Sequence, residues 1–421
     1  MSDWSKRLSS LSPKRRQLLE LQLKKRGLSN LSLRETGESE ARNQQQEQVN
    51  HKNEIAKESK RINMDFGLFF FSSNGQAEEQ DKYQILLETT KFADQNGFSF
   101  VSIPERHFQD FGGLYPNPSV LASALAVITK QIQIRTGSIV SPLHHPIRIA
   151  EEWSVVDNLS KGRVGLSFGT GWNSRDFVLR PENYENRREV MFQNIQMIRQ
   201  LWAGETVTFD GVNNEKVQIN LAPKPVSKEL PIWITSSGNP ETWIRAGKMG
   251  ANVLAALITQ NFDDLANKIQ LYRNSLEQNG HNPQAGKVTV MLHTFIGDDN
   301  EGVKDKVRLP MYEYLNKFLI QQDNLIKKEA ANGTNSMAEM IDDSREELLS
   351  FSFERYFRTS SLLGTLDKTS KVIERLGAIG VNEVGCLIDF GMDINSVMES
   401  LQKLTELKSR YSNKEKKTGE K

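Results

Sequence analysis

Three ionisable side chains in a row are the first residues in this sequence that could do chemistry. Glu105, Arg106 and His107 directly follow the apolar run 98–104, which has the composition of a β-strand. A histidine at a strand end can move protons near neutral pH. The alternative is a Glu–Arg ion pair beside a histidine without a chemical role. We take Glu105, Arg106 and His107 as catalytic candidates.

A second group of residues has the chemistry of an anion site. Ser236, Ser237 and Gly238 end the strand-like run that starts at 231, and a helix begins near Glu241. Hydroxyls and free backbone N–H groups at a helix N-terminus bind phosphate. Ordinary N-capping is the alternative. A glycine loop late in a barrel is a usual phosphate site, which favours cofactor binding.

A glycine-containing loop follows the run 163–169. Thr170, Gly171, Trp172 and Asn173 lie in it. Glycine lets the backbone approach a ligand, and a tryptophan can cover an aromatic ring system. The loop lacks the GxGxxG spacing of a dinucleotide-binding fold, so it predicts a cofactor contact without naming the cofactor.

The histidines outside these segments predict no metal site. His144 and His145 are adjacent, so in an extended segment they point to different sides, and no third ligand is apparent. His293 lies within a strand-like run and is expected to be a core histidine rather than a residue of the barrel mouth. The single cysteine, Cys386, excludes an internal disulfide and a multi-cysteine metal site.

These candidates must be positioned by a repeated pattern of short apolar runs and longer amphipathic runs. The strand candidates are 64–71, 98–104, 132–140, 163–169, 231–237, 251–257, 288–297 and 381–389. Such alternation predicts a parallel sheet with helical crossovers, and this number of strands fits a closed (β/α)8 TIM barrel. Residues 300–360 are predicted to be a helical insertion before the last strand. An open doubly wound sheet is the alternative.

The same pattern divides the chain into four parts. Residues 1–34 predict a short basic helical segment, 35–62 a flexible linker, 63–408 the barrel and 409–421 a disordered tail. The net charge of +1 gives no field that favours nucleic acid or an anionic membrane. The N-terminus has no apolar core of a signal peptide, and no apolar run is long enough to span a bilayer, so we expect a cytoplasmic protein.

Longer stretches resemble the bacterial luciferase-like monooxygenases. The most telling is RTGSIVSPLHHPIRIAEEWSVVDNLSKGRVGLSFGTGWNSRDF (135–177), and the likeness continues through 185–205, 223–254 and 363–391. The segments PERHF, GTGWN, MLHTF and LIDFG resemble the branch associated with natural-product biosynthesis. Residues 9–26, SSLSPKRRQLLELQLKKR, resemble segments that precede or join modules of nonribosomal peptide and polyketide synthases.

The resemblance implies a role for individual residues. Gly137 and Ser138 match the place of a non-proline cis peptide near the flavin, and Ser236, Ser237 and Gly238 match the phosphate loop. Arg188 is the best match to a phosphate-contacting arginine, with Arg187 as its competitor. The remaining matches to the flavin-adjacent loop are Thr170, Gly171, Trp172 and Asn173. Arg106 replaces a proton-transferring histidine of luciferase, so light emission is not expected here.

The resemblance also implies a reaction and partners. Reduced FMN, supplied by a separate flavin reductase, would support hydroxylation or oxygen insertion on a polyketide or peptide intermediate carried by an acyl or peptidyl carrier protein. Family members often form dimers, so a homodimer is expected among the assemblies. Two alternatives stay open: a deazaflavin-dependent oxidoreductase, and a non-catalytic flavin-binding or scaffold protein of a synthase complex.

Overall fold

Eight parallel strands close into a barrel in the computed structural model of the protein, which describes residues 62–71, 82–108, 114–236, 238–258, 260–329 and 345–412. The strands of the chain are β1 (Asp65–Phe69), β2 (Phe100–Ile103), β3 (Gln133–Thr136), β4 (Ile139–Val140), β5 (Val164–Gly169), β6 (Val207–Asp210), β7 (Lys216–Ile219), β8 (Ile232–Thr235), β9 (Asn252–Ala256), β10 (Val288–Ile296), β11 (Leu362–Gly364) and β12 (Glu383–Leu387). Around the barrel they run β1, β2, β3, β5, β8, β9, β10 and β12, and β12 pairs with β1 in parallel register. The predicted (β/α)8 barrel is confirmed.

Amphipathic helices surround these strands. They are α1 (Gln84–Gln95), α2 (Pro118–Ile128), α3 (Pro146–Ser160), α4 (Arg187–Trp202), α5 (Pro240–Lys248), α6 (Phe262–Gln278), α7 (Asn300–Glu329), α8 (Arg345–Thr359), α9 (Leu366–Ala378) and α10 (Ile394–Tyr411). Local chemistry starts several of them: Asn117 and Asn239 accept backbone N–H groups as N-caps, and proline occupies the first helical position. No helix in the described ranges is long and apolar enough to cross a membrane.

Helices α7 and α8 form the predicted insertion before the last barrel strand. Two short features were not predicted. Strands β6 and β7 pair as an antiparallel hairpin, and β11 pairs with the end of the long strand β10. The hairpin strands are largely exposed, so they lack the apolar run by which the barrel strands are recognised.

The predicted strand 132–140 is interrupted in the middle. Its two parts, β3 and β4, flank a cis peptide bond between Gly137 and Ser138, where the family resemblance places one. A Cβ atom at Gly137 would collide with the Phe69 ring of β1, so only glycine fits at this end of β3.

The end of the barrel domain lies slightly beyond the predicted boundary. Residues 409–411 belong to α10 rather than to the predicted tail. The Tyr411 hydroxyl donates to the Ser370 carbonyl at 3.2 Å, and the Met64 amide donates to the Tyr411 carbonyl at 3.2 Å, so the last turn is anchored. Residues 413–421, the predicted segment 1–34 and all of the predicted linker except Ile62 lie outside the described residues.

A buried ion pair crosses the barrel near the amino ends of its strands. Arg135 of β3 donates to both carboxylate oxygens of Glu383 in β12, at 2.6 and 3.0 Å. The guanidinium lies between the rings of Phe100 and Trp233, 3.9 and 4.0 Å from their centroids. Burial opposes ionisation of Glu383, but Arg135 and Lys287 outweigh it and hold its pKa at about 2. The pair is therefore charged at neutral pH.

We predict that Glu383→Gln lowers the free energy of unfolding by about 3–5 kcal/mol at neutral pH, because it leaves the Arg135 charge buried without its partner. Urea unfolding monitored by tryptophan fluorescence measures the loss. Glu406→Gln removes half of an exposed ion pair with Arg410 and is the matched control, with an expected change below about 0.5 kcal/mol. Equal effects of the two substitutions would contradict a special role for the buried pair.

Candidate active site

The carboxyl ends of the barrel strands form a mouth that collects most of the predicted site residues. Glu105, Arg106 and His107 follow β2, Ser138 follows β3, the loop 170–176 follows β5 and Ser236 follows β8. Because the strands are parallel and adjacent in this order, these segments meet at one end of the barrel. Ser237 lies outside the described residues, so its role stays a prediction.

Glu105 is the centre of a buried hydrogen-bonded cluster. His107 Nε2 and His144 Nε2 lie 2.7 and 2.5 Å from the same carboxylate oxygen, Oε1, and the Val140 amide donates to Oε2 at 2.7 Å. The side chain of Glu105 is fully buried, whereas 32% of the His144 side chain is exposed. Burial opposes ionisation of Glu105, but the hydrogen bonds from both histidines hold its pKa at about 2. Although burial acts to lower the pKa of His144, Glu105 raises it above the usual value.

His144 was not predicted to join this site. A ring nitrogen of His144 lies within 4.8 Å of a carboxylate oxygen of Glu105 and a ring nitrogen of His107. The segment after β2 therefore supplies the further polar groups that sequence reasoning did not find beside His144. The two N···O separations are those of hydrogen bonds. Two atoms that bind one cation at roughly 2.0–2.2 Å each would lie nearer 3 Å apart. The geometry therefore favours a proton-sharing cluster over a metal site.

Arg106 points away from this cluster, into the mouth. Its guanidinium carbon lies 4.0 Å from the ring centroid of Phe71 and 5.2 Å from that of Trp172. Within the described part of the chain the guanidinium forms no hydrogen bond, so its donors are available to a ligand. Burial lowers the pKa of Arg106 to about 10, against the raising effect of Tyr314 and Asp176. Arg106 therefore remains a cation at neutral pH.

Asp176 is the acidic group of the mouth, and sequence reasoning passed over it. Burial raises its pKa to about 6, against the charges of His107 and Arg106 and a 2.6 Å hydrogen bond from the Asn173 amide. The side-chain amide of Asn173 is thus engaged in a hydrogen bond with Asp176. The charge of this carboxyl changes close to neutral pH, next to the two catalytic candidates.

The loop after β5 otherwise has the form that the sequence predicts. Gly171 has a φ of +76°, and a Cβ there would lie 2.7 Å from Val140, so the turn requires glycine. Trp172 is 41% exposed, and its ring faces Arg106. Thr170 is partly buried between Gly169 and this turn. A contact of Thr170 or Trp172 with a flavin stays a prediction.

The ends of β3, β5 and β8 form a polar half of the mouth. The hydroxyls of Ser138 and Thr235 are hydrogen-bonded to each other. The Ser236 hydroxyl lies 3.4 Å from the Asn239 carbonyl, and Asn239 caps α5. Lys268 Nζ lies 3.9 Å from the position that a Cβ atom at Gly238 would take.

Lys268 is a second residue that the sequence did not reveal. It lies on α6, donates to Gln260 at 2.8 Å and is partly buried, which lowers its pKa although Asp264 acts to raise it. Arg188, the predicted phosphate contact, is exposed at the start of α4 and forms no hydrogen bond with described residues. Arg187 donates to the Tyr184 carbonyl at 2.7 Å instead. A phosphate role for Arg188 stays a prediction.

The ends of β10, β12 and β1 form an aromatic half of the mouth. His293 is fully buried, and its ring meets those of Tyr314, Tyr356 and Phe390 edge-on, with centroids 4.3, 5.3 and 5.4 Å away. Tyr314 and Tyr356 come from the insertion helices α7 and α8. His293 is therefore a core histidine, as expected from its strand, and the insertion helices α7 and α8 supply two of the rings that cover it.

His293 also has an unpaired nitrogen. Its Nδ1 lies 3.0 Å from the Tyr356 hydroxyl, while Nε2 has no hydrogen-bond partner among the described residues. Burial lowers the pKa of His293 to about 3, so the ring is neutral at physiological pH. A neutral imidazole with a free nitrogen can bond to a polar atom of a ligand.

Comparison with known proteins decides the family. Residues 64–365 match the profile of the luciferase-like monooxygenases. The chain belongs to this family. It is 23% identical to the oxygenase component of a flavin-dependent trigonelline monooxygenase from Acinetobacter baylyi, over 81% of this chain and 93% of the relative. It is also 23% identical to 4-hydroxyprotoasukamycin monooxygenase from Streptomyces nodosus subsp. asukaensis, over 67% of this chain and 73% of the relative.

Solved structures share the fold of this luciferase-like monooxygenase. The oxygenating constituent of 3,6-diketocamphane monooxygenase from Pseudomonas putida, in complex with FMN, superposes with a TM-score of 0.67 at 18% identity, over 84% of this chain and 99% of that one. An F420-dependent secondary alcohol dehydrogenase gives 0.62 at 17% identity, over 84% and 100%. At these identities the likeness establishes the barrel and leaves the cofactor to be argued from the site.

We predict that Asp176→Asn stabilises the protein at about pH 8 by on the order of 1–3 kcal/mol and has little effect at about pH 4. Burial raises the folded-state pKa above that of the unfolded chain, so the carboxyl lowers the stability of the fold as the pH rises from its usual pKa of 3.8 towards about 6, and the loss is complete above that pH. Thermal unfolding across this pH range measures the difference. A gain of the same size at both pH values would show that Asp176 does not carry a buried charge.

Proposed function

We propose that this chain is an FMN-dependent monooxygenase that oxidises a polyketide or peptide intermediate bound to a carrier protein. The observation that carries the proposal is the division of the mouth into a polar half and an aromatic half. Hydroxyls, a glycine and an ammonium group line one half, aromatic rings line the other, and Arg106 lies where the rings of Phe71 and Trp172 approach each other.

The polar half fits the phosphate end of FMN. Lys268 Nζ lies beside Gly238, and the N-terminus of α5 follows directly. An ammonium group, backbone N–H groups and serine hydroxyls are the donors that proteins use for phosphate. Ser138 and the loop of Thr170 to Trp172 lie on neighbouring strand ends, where the ring system of a flavin would continue from its phosphate.

Reduced FMN supplies the activation of molecular oxygen, and the protein supplies binding, orientation and exclusion of water. Arg106 presents guanidinium donors that can orient a thioester or ketone carbonyl. The aromatic half, with Phe71, Tyr314 and His293, excludes water from the reacting atoms and accepts an apolar chain. The free Nε2 of His293 can hold a polar atom of that chain.

The partners are supported by the sequence and by a relative. The Acinetobacter relative is named as an oxygenase component, which fits a separate flavin reductase. Residues 9–26 resemble segments that join synthase modules, which supports a carrier-bound substrate. The Streptomyces relative is named 4-hydroxyprotoasukamycin monooxygenase, which supports the natural-product context.

For the cofactor, we predict that Lys268→Ala weakens FMN binding about tenfold, because an ammonium–phosphate hydrogen bond is lost. Quenching of flavin fluorescence on titration with protein measures the dissociation constant. Lys248→Ala at the exposed end of α5 is the matched control and should bind as the wild type does. Riboflavin, which has no phosphate, should bind both variants equally. Tighter binding of F420 than of FMN would redirect the proposal to deazaflavin chemistry.

For the substrate, we predict that the protein, FMN, NADH and a flavin reductase incorporate one atom of ¹⁸O₂ into an acyl chain attached to a carrier protein. Intact-protein mass spectrometry detects the labelled product. Arg106→Met keeps an unbranched apolar side chain and removes the charge and the donors, so it should lower the yield about 100-fold without loss of flavin binding. Turnover of free acids or ketones with none on carrier-bound chains would overturn the carrier-bound substrate.

A further inference from the structure

We propose that Glu105 passes protons between His144 at the rim of the mouth and His107 inside it, so that His144 is a positioning residue for the proton supply of the reaction. The role of the relay in the reaction rests on the proposed function. The contacts among Glu105, His107 and His144 do not depend on that function, because all three residues belong to the folded chain.

The contacts form a continuous path. Nε2 of His107 and Nε2 of His144 lie 2.7 and 2.5 Å from the same carboxylate oxygen of Glu105, and the other oxygen accepts the Val140 amide. The two ends of the path differ in exposure: 32% of the His144 side chain is exposed and 10% of that of His107, while Glu105 between them is fully buried. Solvent can therefore protonate His144, while His107 and Glu105 are shielded from it.

The transfer balances without a further reactant. The transfer starts with His144 as an imidazolium and with His107 neutral, its proton on Nδ1 and its Nε2 free. The proton on His144 Nε2 moves to Oε1 of Glu105 and from Oε1 to Nε2 of His107. His144 becomes neutral, His107 becomes an imidazolium and the carboxylate is regenerated. His107 can then give a proton to the mouth, near Asp176 and Arg106, and His144 takes a new proton from water.

Charged groups around the path favour an imidazolium within it. His144 faces Glu105, Glu152 of α3 and Arg180, of which the two carboxylates stabilise its charged form and the guanidinium opposes it. His107 contacts Glu105 and interacts with the charge of Asp176. Burial opposes ionisation of Glu105, but its hydrogen bonds with His107 and His144 keep its pKa low, so its protonated form is only transient.

His145, the neighbour of His144, provides a matched control. Its side chain caps α3 by accepting the Ile147 amide at 3.3 Å, and its ring packs against Phe209. His145→Asn keeps a capping side chain and removes the imidazole. It should leave turnover and its pH dependence unchanged.

The deciding comparison uses two substitutions of His144 in the full-length protein with FMN and reductase. His144→Gln retains a hydrogen-bond donor toward Glu105 but cannot exchange a proton, whereas His144→Ala removes both. A relay predicts that both variants lose turnover about 10- to 100-fold with unchanged KM and a shifted pH profile. Free imidazole should restore His144→Ala and have no effect on His144→Gln. Wild-type turnover in His144→Gln would overturn the relay, because a hydrogen bond alone would then suffice.

Two further measurements separate this inference from the proposed function and from metal binding. Nitrogen-15 NMR of labelled histidines, recorded without substrate, should show that His107 and His144 share a titration step that Glu105→Gln abolishes. Independent titrations would overturn the relay, whether or not the wild type oxygenates a carrier-bound chain. Loss of activity with a chelator, reversed by a divalent cation, would overturn it in favour of a metal site.

Discussion

The ion pair between Arg135 and Glu383 occupies one end of the barrel interior and leaves the opposite end for an active site. It fills the interior near the amino ends of the strands, with Phe100 and Trp233 stacked on the guanidinium. Glu383 also accepts from Thr289 at 2.6 Å and from Lys287 at 2.8 Å, so its carboxylate joins β3, β10 and β12. A charge buried this deeply is tolerable only with all its partners in place. The ion pair thereby fills the interior at this end of the barrel, and the candidate site residues lie at the other end.

At the opposite end, the order of the strands places polar side chains in one half of the mouth and aromatic side chains in the other. The polar residues follow β3, β5 and β8, which are neighbours around the barrel, and the aromatic residues follow β10, β12 and β1, which are also neighbours. β2 lies between β1 and β3, and the segment after it supplies both Arg106 and the cluster of Glu105. A bound cofactor in the polar half would therefore meet a substrate in the aromatic half directly in front of Arg106. Tyr314 and Tyr356 show why the insertion belongs to the site, since α7 and α8 bring them onto His293.

The sequence predicted what is encoded locally. Each barrel strand appears as an apolar run, each turn at its carboxyl end carries its polar residues, and Gly137 marks a place where no side chain fits. What it did not predict depends on distant parts of the chain. His144 reaches Glu105 across 39 positions, and Lys268 reaches Gly238 from the following α6 helix. His293 was expected to be a core residue and is one, but the two tyrosines that cover it come from α7 and α8, which the pattern of its own strand does not predict. Such pairings follow from the closure of the barrel, which no local pattern encodes.

The position of the ionisable groups also explains why Arg106 can stand where luciferase has a proton-transferring histidine. In a parallel barrel, consecutive residues after a strand point in different directions, so Glu105 and Arg106 serve different surroundings although they are adjacent. Glu105 turns to the loop after β3 and is hydrogen-bonded there to two imidazoles, while Arg106 turns to the centre of the mouth and keeps its charge. In the proposed relay, proton transfer therefore lies to one side, on His107 and His144. The centre is left to a cation that cannot be deprotonated under physiological conditions and whose hydrogen-bond donors face the ligand.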